Sequence, residues 1–414
     1  MVDSPEAGVV PALEVSTVPL AVGGIRLGVA ESGTRYRSRN DLCLIELAAS
    51  SVTHCVFTTN RFCAAPVTVA QRHLAASVPR YLVINAGNAN AGTGERGIAA
   101  ALQVCAAVAA ETGCPLESVL PFSTGVIGQP LPAERLGAAV PGLVANLRDD
   151  GWSDAAAAIM TTDTRIKLRS VRADSDGASF AVTGMAKGSG MIKPDMATML
   201  AYVATDAAVT PACLYALTRE VADLSFNRIT VDGDTSTNDA LALIATGAAG
   251  NAPIGGAGAP GYAALRAALE AVCVGLAQDI VRDGEGATKF VSVHVTGGHS
   301  DGDCRRVAYA VAESPLVKTA LFASDANWGR ILAAVGRAGA EHLAIDEVDI
   351  DIGACAIVRG GQPIPDFDEA PVARAMQAQD IDIAIRIGRG ACETTVWTCD
   401  FSYDYVKINA DYRS

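Results

Sequence analysis

The sequence contains few of the residues that commonly activate a hydroxyl or thiol nucleophile. Only five of its 414 residues are histidines. His294 lies in an alternating run that predicts a strand with the histidine on its outer face, and His299 lies in a polar turn at 297–301. The Cys-His pairing of a thiol enzyme has no local signature, so we do not expect a conventional catalytic triad, although a triad assembled from distant residues stays open.

Charged and aromatic residues are also scarce, at 19% and 5%, and the formal net charge is -13. A nucleic-acid surface needs clustered basic residues and aromatic platforms, whereas the longest basic group, at 35–39, is typical of a solvated loop. Apolar runs are broken before they reach membrane-spanning length, and residues 1–8 lack the basic and apolar regions of a signal peptide. We expect a cytoplasmic protein without nucleic-acid or membrane partners.

Motifs for metals and bound nucleotides are missing or incomplete. The eleven cysteines include no Cys-x-x-Cys pair and lie mostly in apolar stretches, which predicts buried reduced thiols. The Gly-x-Gly-x-x-Gly at 256–261 contains Pro260 and follows no strand, and Thr237 replaces the glycine that a calcium loop starting at Asp232 needs. Lys187 precedes its glycine, unlike the lysine of a phosphate loop. We predict no cofactor and no metal.

Half of the residues are apolar, which suffices for one large or two ordinary domains. Periodicity alternates strands and helices, so the expected fold class is α/β, with helices covering partly antiparallel sheets. The predicted strands are 81–84, 180–183, 199–203, 227–231, 348–352 and 381–387. The predicted helices are 98–112, 132–147 with an interruption near Pro141, and 211–224.

The segment at 187–200, Lys-Gly-Ser-Gly-Met-Ile-Lys-Pro-Asp-Met-Ala-Thr-Met-Leu, places a threonine behind a glycine-rich turn that no nucleotide motif explains. A threonine hydroxyl needs a base, and where histidine is scarce the remaining base is the threonine's own α-amine. That arrangement requires the chain to be cut before Thr198. Thr198 is therefore the candidate nucleophile.

This segment resembles the self-cleavage motif of the glutamate and ornithine N-acetyltransferases of arginine biosynthesis, the ArgJ family. Further motifs follow in the family's order at 57–61, 85–91, 123–128, 161–164, 231–239, 282–289, 323–330 and 405–414. One departure is Asp195, where family members commonly have asparagine. If desolvated, a carboxylate there would slow or retune cleavage without abolishing activity.

The resemblance implies a layered mixed-sheet α/β sandwich of the self-cleaving, N-terminal-nucleophile type. It implies cleavage between Ala197 and Thr198 into an N-terminal subunit, 1–197, and a C-terminal subunit, 198–414, which assemble as two of each. It places the oxyanion hole at Thr124 and Gly125, expected just after a short strand. It assigns the substrate site to Thr164, Lys187, Thr198, Glu285, Asn409 and Ser414.

The implied reaction is a ping-pong acetyl transfer without a cofactor. N2-acetyl-L-ornithine acetylates Thr198, ornithine leaves, and L-glutamate takes the acetyl group. Lys187 and Glu285 suit a zwitterionic substrate, because Lys187 can pair with its carboxylate and Glu285 with its ammonium. The motifs do not separate enzymes that also use acetyl-CoA as donor from those that do not. Two alternatives stay open: an N-terminal-nucleophile aminopeptidase or amidase, which passes the acyl group to water, and a non-catalytic binding or assembly protein, whose chain would stay uncut.

Overall fold

The computed structural model describes residues 13–175, 178–193, 199–365 and 369–411. Its strands are β1 (Ile25–Ala30), β2 (Leu42–Leu47), β3 (Val52–Phe57), β4 (Tyr81–Asn88), β5 (Val119–Val126), β6 (Lys167–Ser175), β7 (Ala178–Lys187), β8 (Leu200–Thr205), β9 (Ala240–Ala245), β10 (Phe290–Gly298), β11 (Asp349–Ile352), β12 (Cys355–Arg359), β13 (Gln362–Pro363), β14 (Asp380–Arg386) and β15 (Cys392–Cys399). Its α-helices are α1 (Ala65–Ala76), α2 (Gly94–Thr112), α3 (Ala133–Ala145), α4 (Trp152–Ala158), α5 (Pro211–Leu224), α6 (Tyr262–Arg282), α7 (Asp301–Ala312), α8 (Pro315–Phe322), α9 (Trp328–Gly336), α10 (Glu369–Gln377) and α11 (Tyr403–Asp411).

The strands form three sheets. Sheet I has the order β1-β2-β4-β5, sheet II has the order β3-β9-β8-β7-β6, and sheet III has the order β13-β12-β11-β14-β10-β15. One neighbouring pair in each sheet is parallel, namely β4 with β5, β8 with β9, and β10 with β14. Every sheet is therefore mixed, and the expected α/β class is confirmed.

Sheets I and II pack face to face between two layers of helices. In β8, Tyr202 lies in the core shared with sheet I, while Val203 lies in the core shared with α5 and α6, because successive side chains of a strand point to opposite faces. On the outer face of sheet I, Val83 packs with Val104 of α2 and Leu136 of α3. The resulting order of helices, sheet I, sheet II and helices is the layered sandwich that the sequence predicted.

Sheet III, with six strands, forms an adjoining layer. Its buried face, which includes Val293 and Ile383, packs against α7, α9 and α10. Two residues of sheet III, Phe290 and Cys399, instead pack in the core that sheet II shares with α5 and α6. This sharing of core residues fixes sheet III against the sandwich and brings α11, which follows β15, towards the sandwich.

Sheet II contains strands from both sides of the expected cleavage site. Strands β3, β6 and β7 precede it and β8 and β9 follow it. Lys187, the last residue of β7, pairs with Leu200, the first residue of β8. Both ends of the segment at 188–199 are therefore anchored by strand pairing, and the backbone hydrogen bonds of sheet II join the two halves of the chain.

Most predicted elements are confirmed, and three details are wrong. The span 227–231 is not a strand: a 3-10 turn covers Phe226–Arg228, and only a single bridge, from Ile229 to Trp397, follows. Helix α3 continues through Pro141. Burying a large aliphatic side chain is worth about 1.5–3 kcal/mol, so Leu136, Val140 and Leu143, all within the helical core, together outweigh the roughly 3 kcal/mol cost of the proline. Finally, Ser123-Thr124-Gly125 lies inside β5 rather than after it.

Several residue-level predictions also have clear outcomes. All eleven cysteines are free and seven of them are buried, as expected. His294 lies on the partly exposed face of β10, where its Nδ1 is 2.9 Å from Thr395 Oγ1. Among the described residues, no helix combines the length and apolar character needed to cross a membrane.

Candidate active site

A cleft of about 270 Å³ opens where sheet I, sheet II and α11 meet. Its walls come from the end of β5, the turn after β7, the start of β8, the segment at 236–239, and two side chains from the second half of the chain. Those two are Glu285 and Asn409. The cleft therefore collects residues from several places that are far apart in the sequence.

Gly125 gives β5 a backbone shape that strongly favours glycine. Its φ is +133°, in the region that favours glycine. A Cβ at this position would lie 2.2 Å from the Gly87 carbonyl carbon and 2.5 Å from the Asn88 nitrogen in the neighbouring strand β4. The pairing of β4 with β5 becomes irregular at the same place, where Asn88 is paired with both Thr124 and Val126. Glycine is thus required for close approach of the two backbones at the wall of the cleft.

Lys187 and Thr124 face each other across the junction of the two sheets. The buried Lys187 ammonium donates a hydrogen bond of 3.2 Å to Thr124 Oγ1. An ammonium can only donate, so the Thr124 hydroxyl accepts this bond and keeps its own proton for another acceptor. Burial lowers the pKa of Lys187, and the nearby Lys167 charge adds to this effect, while Asp163, Asp239 and Glu285 oppose it. The pair offers a hydroxyl donor supported by a positive charge.

A buried ionic network fixes the turn that follows Lys187. Asp163 accepts a 2.7 Å hydrogen bond from the Gly188 N–H and forms a 2.6 Å ion pair with Lys167. Lys167 also contacts Asp283 at 2.6 Å. Burial would raise the pKa of the Asp163 carboxyl, but Lys187, Lys167 and the Gly188 N–H together hold it well below its usual range. Because both side chains of the Asp163–Lys167 pair are fully buried, the network is a rigid support for the cleft wall.

Glu285 supplies the carboxylate on the opposite side of the cleft. Asn409 of α11 donates a 2.9 Å hydrogen bond to its Oε2, and the Glu285 N–H donates to the Ser189 carbonyl at 2.8 Å. Gly190 makes room for it, since a Cβ there would lie 2.4 Å from Glu285 Oε2. A carboxylate held this way, across the cleft from a lysine, suits a ligand that carries both an ammonium and a carboxylate.

Two further contacts shape the turn. Asp232 accepts hydrogen bonds from the backbone N–H groups of Met191, at 2.6 Å, and Ile192, at 2.9 Å. Burial raises the pKa of Asp232, although these backbone bonds oppose the shift. Ser189 Oγ lies 2.7 Å from Thr162 Oγ1. These contacts hold residues 189–192 in place, within the expected cleavage motif and on the N-terminal side of the expected cleavage site.

Asp239 is a cleft residue that the sequence analysis did not identify. It is 3% exposed, and within the described part of the chain its Oδ2 has no hydrogen-bond partner. Burial raises the pKa of Asp239 well above its usual range, opposed by hydrogen bonds from Ser236 and by the Lys187 charge. The signal in the sequence that could have drawn attention to Asp239 is an aspartate directly before the apolar strand β9.

The predicted site residues fall into three groups. Thr124, Gly125, Lys187, Glu285 and Asn409 all line the cleft. Thr164 does not line it: its backbone N–H donates to Asp283 at 3.1 Å, its hydroxyl donates to the same carboxylate, and it borders a neighbouring pocket that contains Lys407 and Asp411. Asp195, Ala197, Thr198 and Ser414 lie outside the described residues. The cleft nevertheless includes Met199, the residue after Thr198.

Comparison with known proteins gives a consistent set of matches. The model of the ArgJ family matches residues 26–414. The arginine biosynthesis bifunctional protein ArgJ of Psychrobacter arcticus is 53% identical over 393 residues, covering 95% of this chain and 97% of the relative. The crystal structure of the arginine biosynthesis bifunctional protein from Bacillus halodurans is 40% identical and has a TM-score of 0.50, covering 51% of this chain and 99% of that chain. The crystal structure of ornithine acetyltransferase from Mycobacterium tuberculosis, complexed with ornithine, is 32% identical and has a TM-score of 0.42, covering 44% of this chain and 98% of that chain.

Proposed function

The chain belongs to the ArgJ family of arginine-biosynthesis enzymes, and from this premise we propose that it moves an acetyl group from N2-acetyl-L-ornithine to L-glutamate. The observation that supports this most is the cleft itself. It combines Lys187 and Thr124 on one side with Glu285 and Asn409 on the other, and it includes Met199. Residues from several of the matched motifs therefore meet in one cleft, and the size and charged groups of this cleft suit an acetylated amino acid.

The first proposed step is self-cleavage before Thr198. The Thr198 hydroxyl attacks the Ala197 carbonyl carbon, the peptide C–N bond breaks, and water releases the resulting ester. The products are subunits 1–197 and 198–414. They would stay together because β7 and β8 remain paired within sheet II. We further propose that they assemble as two copies of each.

The second proposed step is formation of the acetyl-enzyme. The freed α-amine of Thr198 takes the hydroxyl proton, and Oγ attacks the acetyl carbonyl of N2-acetyl-L-ornithine. The oxyanion receives hydrogen bonds from the Thr124 hydroxyl and the Gly125 N–H. The amide C–N bond then breaks, and the α-ammonium returns its proton to the leaving amine. Lys187 donates a hydrogen bond to the Thr124 oxygen. The Thr124 hydroxyl proton is therefore left for a hydrogen bond to the oxyanion.

The third step repeats this chemistry with glutamate as the nucleophile. Its neutral amine attacks the acetyl-threonine ester, and the α-amine of Thr198 takes the proton that this amine loses. The resulting α-ammonium gives the proton to Oγ as the ester C–O bond breaks. Both substrates carry a carboxylate that Lys187 can pair with, and Glu285, fixed by Asn409, can pair with the ammonium of ornithine. Thr164 would act here by holding Asp283 and the buried network, and Ser414 stays a predicted substrate residue.

We also propose that acetyl-CoA serves as a second acetyl donor, since the relative at 53% identity is named a bifunctional protein. Glutamate acetylation with acetyl-CoA as sole donor tests this. Product formation at a rate well above that of Thr198→Ala would support the bifunctional assignment, and its absence would leave a monofunctional enzyme. The cytoplasmic location stays a prediction.

The main activity is tested by incubating the purified chain with N2-acetyl-L-ornithine, with and without L-glutamate. With glutamate we expect N-acetylglutamate and ornithine to accumulate in equal amounts over many turnovers. Without glutamate we expect no N-acetylglutamate and only the one equivalent of ornithine per enzyme that acetyl-threonine formation releases, and we expect neither product with Thr198→Ala. Release of acetate at the same rate without glutamate would instead identify a hydrolase of the N-terminal-nucleophile type and contradict the proposal.

A further inference from the structure

Asp239 is buried in the cleft, at 3% exposure, and among the described residues its Oδ2 accepts no hydrogen bond. Hydrogen bonds from Ser236 oppose the effect of burial, but burial still raises the pKa of Asp239 well above its usual range. The desolvation cost of the carboxylate is therefore only partly offset within the described residues. A cation or a donor that enters the cleft would remove that cost.

The backbone places Asp239 beside the start of the C-terminal half. The N–H of the next residue, Ala240, donates to the Met199 carbonyl at 2.9 Å, and the Thr58 N–H donates to the Asp239 carbonyl at 3.0 Å. On the other side, Asn238 Nδ2 donates to the Ser123 carbonyl at 2.9 Å. Asp239 is therefore held rigidly between Met199, which is bonded to Thr198, and the strand that carries Thr124.

Lys187 is the resident cation of the cleft, but it does not satisfy Asp239. Its ammonium donates to Thr124, and the ion pairs formed within the described residues do not include one between Lys187 and Asp239. The electrostatic effect of Lys187 reaches Asp239 without a direct bond. The position between Met199 and Lys187 therefore suits a second cationic or donor group.

We propose that Asp239 is a further catalytic residue, whose Oδ2 accepts a hydrogen bond from the α-ammonium of Thr198 during acetyl transfer. This rests on the proposed function, because the α-amine exists only after the chain is cut. The amine becomes an ammonium when it takes the Thr198 hydroxyl proton, and it becomes neutral again when it protonates the leaving amine. Asp239 stabilises the ammonium between these two events and gains or loses no atoms itself.

This role has a defined pH signature. A nearby carboxylate favours the charged form of an amine and so raises its pKa. Catalysis begins with the neutral amine, so the activity falls at low pH as the amine becomes protonated. Removing the carboxylate lowers the pKa of the amine, and the acidic limb of kcat/KM should move to lower pH.

The test uses Asp239→Asn, which keeps the size of the side chain and removes its charge. We expect this variant to be cut like the wild type, with kcat lowered by at least about 10-fold and KM for N2-acetyl-L-ornithine little changed. Its acidic limb should lie lower by about one pH unit. The matched control is Asp206→Asn, because burial also raises the pKa of Asp206 but this residue does not line the cleft. It should retain the wild-type profile.

A second variant keeps the test independent of any folding defect. Ser236→Ala removes only a hydroxyl that stabilises the Asp239 carboxylate, and it should move the limb in the same direction by a smaller amount. The proposal is overturned if the acidic limbs of Asp239→Asn and Ser236→Ala both stay at the wild-type pH. It is also overturned if KM rises in Asp239→Asn while kcat is unchanged, which would make Asp239 a substrate-binding residue. A folded Asp239→Asn chain that stays uncut would overturn it as well. A wild-type chain that is neither cut nor active would instead refute the proposed function itself.

Discussion

The Lys187 ammonium and the Thr124 hydroxyl, 3.2 Å apart, join two different sheets. Lys187 is the last residue of β7 in sheet II, and Thr124 lies within β5 in sheet I. Their contact therefore depends on how the two sheets pack, and the core between the sheets sets the geometry of the cleft.

Activity should depend on the charge of Lys187. Burial lowers the pKa of Lys187 below its usual 10.5, so the ammonium loses its proton, and with it the support for Thr124, as the pH rises through that lowered value. We expect kcat to fall on the alkaline side. An Arg side chain keeps its charge across this range, so the residual activity of Lys187→Arg should lack this limb, whereas Lys187→Met should be inactive at every pH. An unchanged limb in Lys187→Arg would assign the titration to another group.

Gly125→Ala should damage the oxyanion site. The added Cβ would lie within 2.2 Å of the Gly87 backbone, so β5 must shift, and loss of an oxyanion donor typically lowers kcat by about 10²–10³-fold. The control is Gly128→Ala, because Gly128 also has a positive φ, of +81°, but a Cβ there meets no atom within 4 Å. Steady-state kinetics should show near-normal kcat for the control, and equal losses in both variants would point to backbone strain alone.

Glu285→Gln should weaken binding of the ammonium-bearing substrate. A hydrogen bond to a charged group is worth about 1.5–3 kcal/mol, so KM for N2-acetyl-L-ornithine should rise by about 10- to 100-fold. Asn409 can still donate to the glutamine oxygen, which limits structural change. Glu313→Gln, which alters a carboxylate paired with Lys193, should keep KM normal. A fall in kcat with normal KM would move Glu285 from binding to the chemical step.

Asp163→Asn should destabilise the protein by about 3–5 kcal/mol, because it leaves the buried Lys167 with one charged partner fewer. The pKa of Asp163 is lowered by folding, so its stabilising effect is present above the pKa of the unfolded chain and is lost as the pH falls towards the folded value. The difference in free energy of unfolding from the wild type should therefore shrink in acid. Asp154→Asn, which removes an exposed partner of Arg148, should leave the free energy of unfolding nearly unchanged, because solvent screens an exposed ion pair.

The sequence predicted the parts of the site that lie in contiguous motifs. Lys187, Glu285 and Asn409 each sit in a segment that resembles the family, and their convergence in one cleft follows that resemblance. Periodicity likewise located helix α5 and most of α2, since their apolar faces repeat regularly along the chain.

The sequence did not predict features that depend on contacts between distant segments. The network of Asp163, Lys167 and Asp283 joins residues more than a hundred positions apart, and no local pattern encodes such a contact. The same holds for Asp239, whose significance comes from burial and from the position of Met199. At 227–231, local turn bonds from the end of α5 prevailed over an apolar alternation typical of strands.

The central claim is that Thr198 becomes an N-terminal nucleophile through self-cleavage. Intact mass spectrometry of the purified wild type, Thr198→Ala and Thr210→Ala, with N-terminal sequencing of the fragments, tests it most directly. Thr210 caps α5 away from the cleft, so this control should be cut. The account predicts two wild-type fragments whose masses sum to that of the chain plus one water, the second beginning with Thr198, and an uncut Thr198→Ala chain. An uncut but active wild type, or a Thr198→Ala chain cut at the same bond, would contradict it.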